Sequence, residues 1–372
     1  MENNEQFDRL IVKLGTGVLT AGTSRLSPRR MLEIVRQIVL LVENGKQIAL
    51  VSSGAIAAGR EQLNNPELGR NIPAKQMLAA VGQPRLMHTY ADLFAIFGLD
   101  VAQVLLTKDD FRNRKRYLNA RDTLESLLAH SVIPIINEND TVGTYEIKLG
   151  DNDNLSALVA NLLDADLLVL LTDQPGLLTG DPRIDPDAEL ISHVDDINDE
   201  IWEAAGRENS PWGTGGMVTK LQAAQLATRS GTRVVIAKGS QPNVLIDLCG
   251  PGGSEIGTWF EPVSTHVESR KRWILSEKPV GTLRIDKGAA RMLKKGGASL
   301  LPVGVVGVEG QFERGAIVSV VGPGGKEVSR GQVNYNSEDI ERLSGLHSDG
   351  ITDRLGYTYG DEVIHLDYLV LV

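Results

Sequence analysis

At 372 residues, with 42% apolar and 23% charged side chains, the chain has room for two domains and an ordinary hydrophobic core. A formal net charge of −10 excludes a protein that grips nucleic acid by bulk electrostatics, which needs a basic footprint. A single cysteine, Cys249, excludes an internal disulfide and a cysteine metal cluster, and fits a reducing compartment.

Residues 1–8 are polar and acidic, without the basic start and apolar stretch of a secretory signal. No apolar run approaches the ~20 residues that span a bilayer, so the expectation is a soluble cytoplasmic protein without membrane partners. The histidines at 88, 130, 193, 266, 347 and 365 are scattered without an i,i+4 pair and read as structural, so no metal site is expected from them.

Residues 10–13 read as a buried strand. Ser27-Pro28 then supplies an N-cap and a proline at the first helical position. Met31, Ile34, Val35, Ile38, Leu41 and Val42 follow at helical spacing, and Asn44-Gly45 closes the helix. Continuous apolar runs recur at 48–51, 101–106, 132–136, 167–171 and 234–237. Such runs separated by helices predict a parallel sheet covered on both faces, with ligands beyond the carboxyl ends of its strands. After 266–278, a charged stretch read as a linker, short Gly-punctuated runs at 282–285, 303–308, 316–321 and 363–366 predict a small β-rich second domain with one clear helix near 287–294. The predicted organisation is 1–265, linker 266–278 and 279–372.

The strand ends carry Lys13-Leu-Gly-Thr-Gly17, Ser52-Ser-Gly54, Asn137-Glu-Asn-Asp140, Thr172-Asp173 and Lys238-Gly239. Gly150-Asp-Asn-Asp-Asn154 and Gly213-Thr-Gly-Gly-Met-Val-Thr-Lys220 each precede an apolar helical stretch. Glycines beside a strand end let backbone N–H groups approach an anion, and a helix start adds partial positive charge. Any one of these loops alone reads equally as a tight turn. Several together, with Lys13 and Lys220 beside two of them, point to phosphoryl transfer, which works by positioning and charge neutralisation. The 213–220 segment does not fit a Walker A loop, and neither Gly-rich loop fits the Gly-x-Gly-x-x-Gly dinucleotide fingerprint. The basic run at 112–116 reads as the face of an amphipathic helix or a subunit contact rather than a nucleic-acid patch.

Val12-Lys-Leu-Gly-Thr-Gly17, Ser53-Gly-Ala-Ile-Ala-Ala-Gly59, Ile136-Asn-Glu-Asn-Asp140, Gly150-Asp-Asn-Asp-Asn-Leu-Ser-Ala157, Leu171-Thr-Asp-Gln174 and Gly213-Thr-Gly-Gly-Met217 together resemble the glutamate 5-kinases of the amino acid kinase superfamily. Residues 279–372 resemble a PUA domain. The resemblance implies an open αβα sandwich with a mainly parallel sheet plus the PUA-like domain. It also implies ATP with Mg²⁺ as donor, L-glutamate as acceptor, glutamyl 5-phosphate as product in the first step of proline synthesis, proline as feedback inhibitor, and a homo-oligomer. Val218 stands where Ser is usual and Pro175 where a polar residue is common, both beside nucleotide motifs.

Residue by residue, the resemblance makes Lys13 and Lys220 the catalytic cations and Asp153 the carboxylate that holds them. Ser53, Asn137, Asp140 and Asn152 become substrate ligands. Lys13, Thr172, Asp173, Thr214, Gly215, Gly216, Met217, Val218, Thr219 and Lys220 become nucleotide ligands. By residue type alone Asp140 is equally a turn aspartate, but free glutamate carries an α-ammonium that needs an anionic partner when buried. Ser53 and Asn152 are read as hydrogen-bonding the substrate's two carboxylates. An N-acetylglutamate kinase has no ammonium to neutralise, and an aspartokinase usually carries regulatory domains in place of the PUA-like end. RNA binding through residues 279–372 is the alternative of another class. That segment holds ten Lys and Arg against twelve Asp and Glu, a balance that argues against RNA.

Overall fold

The computed structural model describes residues 7–68, 71–143, 152–182, 184–206 and 216–372. It contains two compact units, Met1–Arg112 with Ala120–Thr265, and Asn113–Asn119 with His266–Val372.

In the first unit, strands β1 (Arg9–Leu14), β2 (Gln47–Ser52), β3 (Val101–Leu106), β4 (Ile133–Glu138), β5 (Leu167–Thr172), β6 (His193–Val194), β7 (Arg233–Lys238) and β8 (Thr258–Phe260) form one sheet. Its order is β3-β4-β2-β1-β5-β7-β8-β6, and all neighbours are parallel except β7 and β8. The central strands are apolar on both sides because helices cover both. Leu10, Val12 and Leu14 of β1 pack with Met31, Ile34 and Ile38 of helix Pro28–Glu43 and with Leu86, Tyr90 and Phe94 of helix Ile72–Ala95. Successive side chains of a strand alternate faces, so Ile11 and Lys13 turn the other way, toward the layer that holds helix Asn152–Leu162.

The sequence-read helix is present as Pro28–Glu43. The Ser27 hydroxyl accepts from the Arg30 N–H at 3.4 Å, and Gly45 takes a positive φ of 82° just past the end. Several strands run further than the expected runs, β1 to Leu14, β4 through Asn137 to Glu138 and β5 to Thr172, because backbone pairing does not stop where the side-chain pattern changes.

The second unit has a five-stranded sheet in the order β10-β9-β11-β12-β13, from β9 (Thr282–Ile285), β10 (Val305–Glu309), β11 (Ile317–Val321), β12 (Glu327–Gln332) and β13 (Leu369–Leu371). Its core is its own, built from Leu283, Ile285, Val318, Val320, Tyr335 and Ile340 among others. Residues 266–278 contain helix His266–Ser276. The expectation of one helix near 287–294 is corrected. Besides Lys287–Lys295, there are Ser337–Leu343, capped where the Asn336 side chain accepts from the Asp339 N–H at 2.8 Å, and Ile351–Leu355. The strand expected at 363–366 is reduced to a single bridge between Leu300 and Ile364. His365 instead caps the short turn Leu366–Tyr368, and the strand follows that turn.

Helix Ala55–Gln62 crosses helix Ile72–Ala95 at two glycines. A Cβ on Gly82 would overlap the Ala55 carbonyl oxygen, and one on Gly59 the Leu78 carbonyl oxygen. Backbone therefore meets backbone, and the long helix is seated against the loop that follows β2. Gly82→Ala must push the helices apart, a forced overpacking that costs about 1–3 kcal/mol. The expected result is a melting temperature several degrees lower, read by calorimetry; an unchanged value would show the crossing to be loose.

Candidate active site

The start of helix Asn152–Leu162 is where the two sets of polar side chains meet. Asp153 is fully buried, and so, nearly, are the two lysines around it at 5% and 6% exposure. Lys13 Nζ, from β1, lies 2.6 Å from Asp153 Oδ1, and Lys220 Nζ, from helix Met217–Arg229, lies 3.3 Å from Oδ2. Thr219 Oγ1 sits 2.7 Å from the same Oδ2 and 2.9 Å from the Gly216 carbonyl.

Burial alone would push the Asp153 carboxyl up, but Lys13 and Lys220 outweigh it and hold the group below the usual carboxylate range. Burial also pulls Lys220 below the ordinary lysine value. Asp153 opposes that shift, Lys13 adds to it, and Asp173 opposes it to a smaller extent. One carboxylate against two ammonium groups leaves a net positive charge in a water-poor place. Such a place calls for an anion.

Around this cluster are the loops read as anion cradles. Gly15 follows β1, with its Cα hydrogen turned toward Lys13 Nζ and the Leu171 carbonyl. Gly54, after β2, has φ = 107°, a conformation costly for any other residue. Thr172 ends β5 and donates to Asp173 Oδ1 at 3.0 Å. Gly216 caps helix Met217–Arg229, whose first residues Met217 and Val218 are half-buried. Thr214 and Gly215, also expected among the nucleotide ligands, lie outside the described residues.

The second set is neutral. Asn152 Nδ2 lies 3.0 Å from Ser53 Oγ, 3.0 Å from Asn137 Oδ1 and 3.4 Å from the Ser52 carbonyl. Ser53, Asn137 and Asn152, expected together, are therefore together. Asp140 is half-buried two residues past β4, where its backbone carbonyl accepts from Gln76 Nε2 at 3.0 Å. Three side chains that the sequence reading missed join here. Gln83 accepts from Asn137 Nδ2 at 2.8 Å, Gln76 holds the Asp140–Thr141 backbone, and the buried Tyr90 hydroxyl meets Ser52 Oγ at 2.8 Å. All three lie on helix Ile72–Ala95, and no motif marks a glutamine or tyrosine on a helix as part of a site.

Residues 8–238 match the family model described as the amino acid kinase family, and residues 281–355 match the PUA domain. Glutamate 5-kinase of Deinococcus radiodurans is 52% identical over 98% of this chain and 100% of its own. Glutamate 5-kinase of Sodalis glossinidius is 51% identical over 97% of this chain and 98% of its own. That of Aliivibrio fischeri is 50% identical over 99% and 100%.

Removing Asp153's charge leaves two buried lysines facing each other, a loss of about 3–5 kcal/mol on the scale of broken buried pairs. Because the folded carboxyl titrates below its unfolded value, its stabilisation is complete above about pH 3.9 and disappears only as pH falls through the lower folded value. The gap in melting temperature between wild type and Asp153→Asn is therefore expected to hold from neutral pH to about pH 5 and to close only below about pH 3.9. A gap that closes between about pH 6 and 5 would contradict the depressed carboxyl.

Proposed function

The chain belongs to the amino acid kinase family, and from that premise we propose that it transfers the γ-phosphoryl group of ATP to the side-chain carboxylate of L-glutamate, giving L-glutamyl 5-phosphate. This is the reaction of a glutamate 5-kinase and the first step of proline biosynthesis. The observation that carries it at the level of atoms is the net positive, buried Lys13–Asp153–Lys220 cluster beside a neutral polar pocket.

The acceptor needs no general base. A glutamate side chain has a pKa near ~4.3, so at neutral pH its carboxylate is already the nucleophile. The obstacle is that this anion must approach a more highly charged triphosphate. A carboxylate oxygen attacks the γ-phosphorus as the bond to the β,γ-bridging oxygen breaks, and ADP leaves with the electron pair. Lys13 and Lys220 offset the charge on the transferring group and on the bridging oxygen, while Asp153 keeps their ammonium groups converged. Backbone N–H groups at Gly15 and Gly54, and the start of helix Met217–Arg229, add donors. Thr172, Asp173, Gly216, Met217, Val218 and Thr219, with Thr214 and Gly215, form the nucleotide side.

Both Asp153 oxygens are engaged, Oδ1 by Lys13 and Oδ2 by Lys220 and Thr219. The carboxylate is thus spoken for by cations of the chain itself. Mg²⁺ fits this site as part of the MgATP substrate, held by phosphate oxygens and water. Inhibition by proline and homo-oligomeric assembly belong to the same reading. They are read out by adding proline to the assay below and by light scattering.

On the acceptor side, Ser53 Oγ accepts from Asn152 and keeps its own proton for a substrate carboxylate. Asp140 is assigned the balancing of the α-ammonium, which separates this reading from an N-acetylglutamate kinase.

Hydroxylamine trapping tests the reaction. Purified protein with MgATP is expected to give hydroxamate from L-glutamate and none from N-acetylglutamate or L-aspartate. Lys13→Ala is expected to lower kcat by about two to three orders of magnitude, as for loss of one transition-state charge contact, with glutamate KM little changed; near-normal turnover removes Lys13 from the reaction. Asp140→Asn is expected to raise glutamate KM by tenfold or more, on the order of a lost charged hydrogen bond, while MgATP KM stays constant. An unaltered glutamate KM would return Asp140 to a turn aspartate.

A further inference from the structure

We propose that Gln83 is a positioning residue that holds the Asn137 amide, and through it the Asn152 amide, in the direction the backbone sets, so that the pocket meets the α-ammonium of glutamate with a carbonyl oxygen. The proposal rests on the glutamate reading above and adds to it a residue outside the pocket motifs.

Four side-chain amides run head to tail. Asn152 Nδ2 donates to Asn137 Oδ1 at 3.0 Å, Asn137 Nδ2 to Gln83 Oε1 at 2.8 Å, and Gln83 Nε2 to Gln103 Oε1 at 3.2 Å. A primary amide has one donating and one accepting end. Reversing any one of them would set donor against donor or acceptor against acceptor, so the chain has one direction throughout. Two backbone groups fix which direction that is. The Glu138 N–H donates to Asn137 Oδ1 at 2.9 Å, which makes that atom an acceptor. The Ser52 carbonyl accepts from Asn152 Nδ2 at 3.4 Å, which makes that atom a donor.

The consequence appears at the pocket end. The two protons of Asn152 Nδ2 serve Asn137, Ser53 and the Ser52 carbonyl. Its Oδ1 is buried and has no hydrogen-bond partner among the described residues. A buried acceptor left without a donor is costly. At neutral pH both carboxylates of glutamate are ionised and accept only, so the α-ammonium is the one group of the substrate that donates. Asn152 therefore takes the ammonium, rather than a carboxylate as residue type alone suggested. Ser53, whose oxygen is held by Asn152, turns its proton to a carboxylate.

Gln83 is the link that can be changed without touching the pocket. It is half-buried on helix Ile72–Ala95, and it alone among the described residues receives Asn137 Nδ2. Gln83→Leu removes the acceptor and leaves the buried Asn137 Nδ2 unpaired, which draws the Asn137 side chain off the place where its Oδ1 receives Asn152 and so loosens the Asn152 amide. Gln83→Glu keeps the acceptor, and the exposed Gln103 amide can rotate to donate to it.

Steady-state kinetics in the hydroxamate assay decide the matter. Gln83→Leu is expected to raise glutamate KM about tenfold, the scale of one mis-paired buried polar group, with kcat and MgATP KM within about threefold of wild type. The inhibition constant of glutarate, which has both carboxylates and no ammonium, is expected to stay unchanged. Gln83→Glu is expected to restore glutamate KM to within about threefold of wild type. Gln83→Met serves in place of Gln83→Leu if the latter does not fold, as judged by circular dichroism. Three results overturn the proposal: an unchanged glutamate KM without the acceptor, an equal loss in Gln83→Glu, or a loss shared by MgATP or glutarate. Each can occur with a wild-type enzyme that still makes hydroxamate from glutamate, whereas a wild type that makes none removes the glutamate reading itself.

Discussion

Two lysine side chains occupy one buried place only because Asp153 stands between them. An ammonium group loses its hydration when buried, and two of them would shed protons before they would share such a site. A single carboxylate, held from both sides and by Thr219, keeps the pair in place without cancelling it. The remaining charge is what the proposed reaction uses to draw in a phosphoryl group. A second carboxylate there would neutralise the site, and none at all would disperse it.

That requirement dictates much of the architecture. Lys13 must leave β1 on the face opposite Leu10, Val12 and Leu14, because the other face is filled by helices Pro28–Glu43 and Ile72–Ala95. Lys220 must come from the first turn of helix Met217–Arg229, and Asp153 from the first turn of helix Asn152–Leu162. Adjacent residues on a helix point about 100° apart, since a turn takes 3.6 residues. So Asn152 and Asp153 point to different partners, the first toward Ser53 and Asn137 and the second toward the lysines. One helix start thus sets the neutral side chains and the charged cluster side by side, which is the alignment the proposed in-line transfer needs.

The parts of this plan that could be read from sequence were those with a local signal. Apolar runs without alternation gave the central strands, and Ser27-Pro28 with Asn44-Gly45 bounded the first long helix correctly. The strand-end rule picked out Lys13, Ser53 and Asn137, which come together at the start of helix Asn152–Leu162, Asn137 although it lies within its strand. What stayed hidden depends on tertiary packing. Gln76, Gln83 and Tyr90 are spaced along one helix by sevens, the spacing of an ordinary stripe facing a sheet, and nothing in the sequence says that β4 and the loop after β2 arrive beneath them. Asn336 followed by Ser-Glu-Asp was a legible N-cap that the glycine punctuation of the second unit obscured.

The separation of charged and neutral groups has a reason of its own. A carboxylate in place of Asn152 would lie next to Asp153 and would compete for Lys13 and Lys220, pulling them from the phosphoryl site. A neutral amide can supply an acceptor to an ammonium without that competition, but an amide alone has no preferred direction. Direction has to come from partners that cannot turn, and here these are the Glu138 N–H and the Ser52 carbonyl, both in the sheet. The parallel sheet therefore orients the neutral pocket through its backbone, while it places the charged cluster through a side chain of β1. The two sets of side chains can then differ in charge although one helix turn serves both.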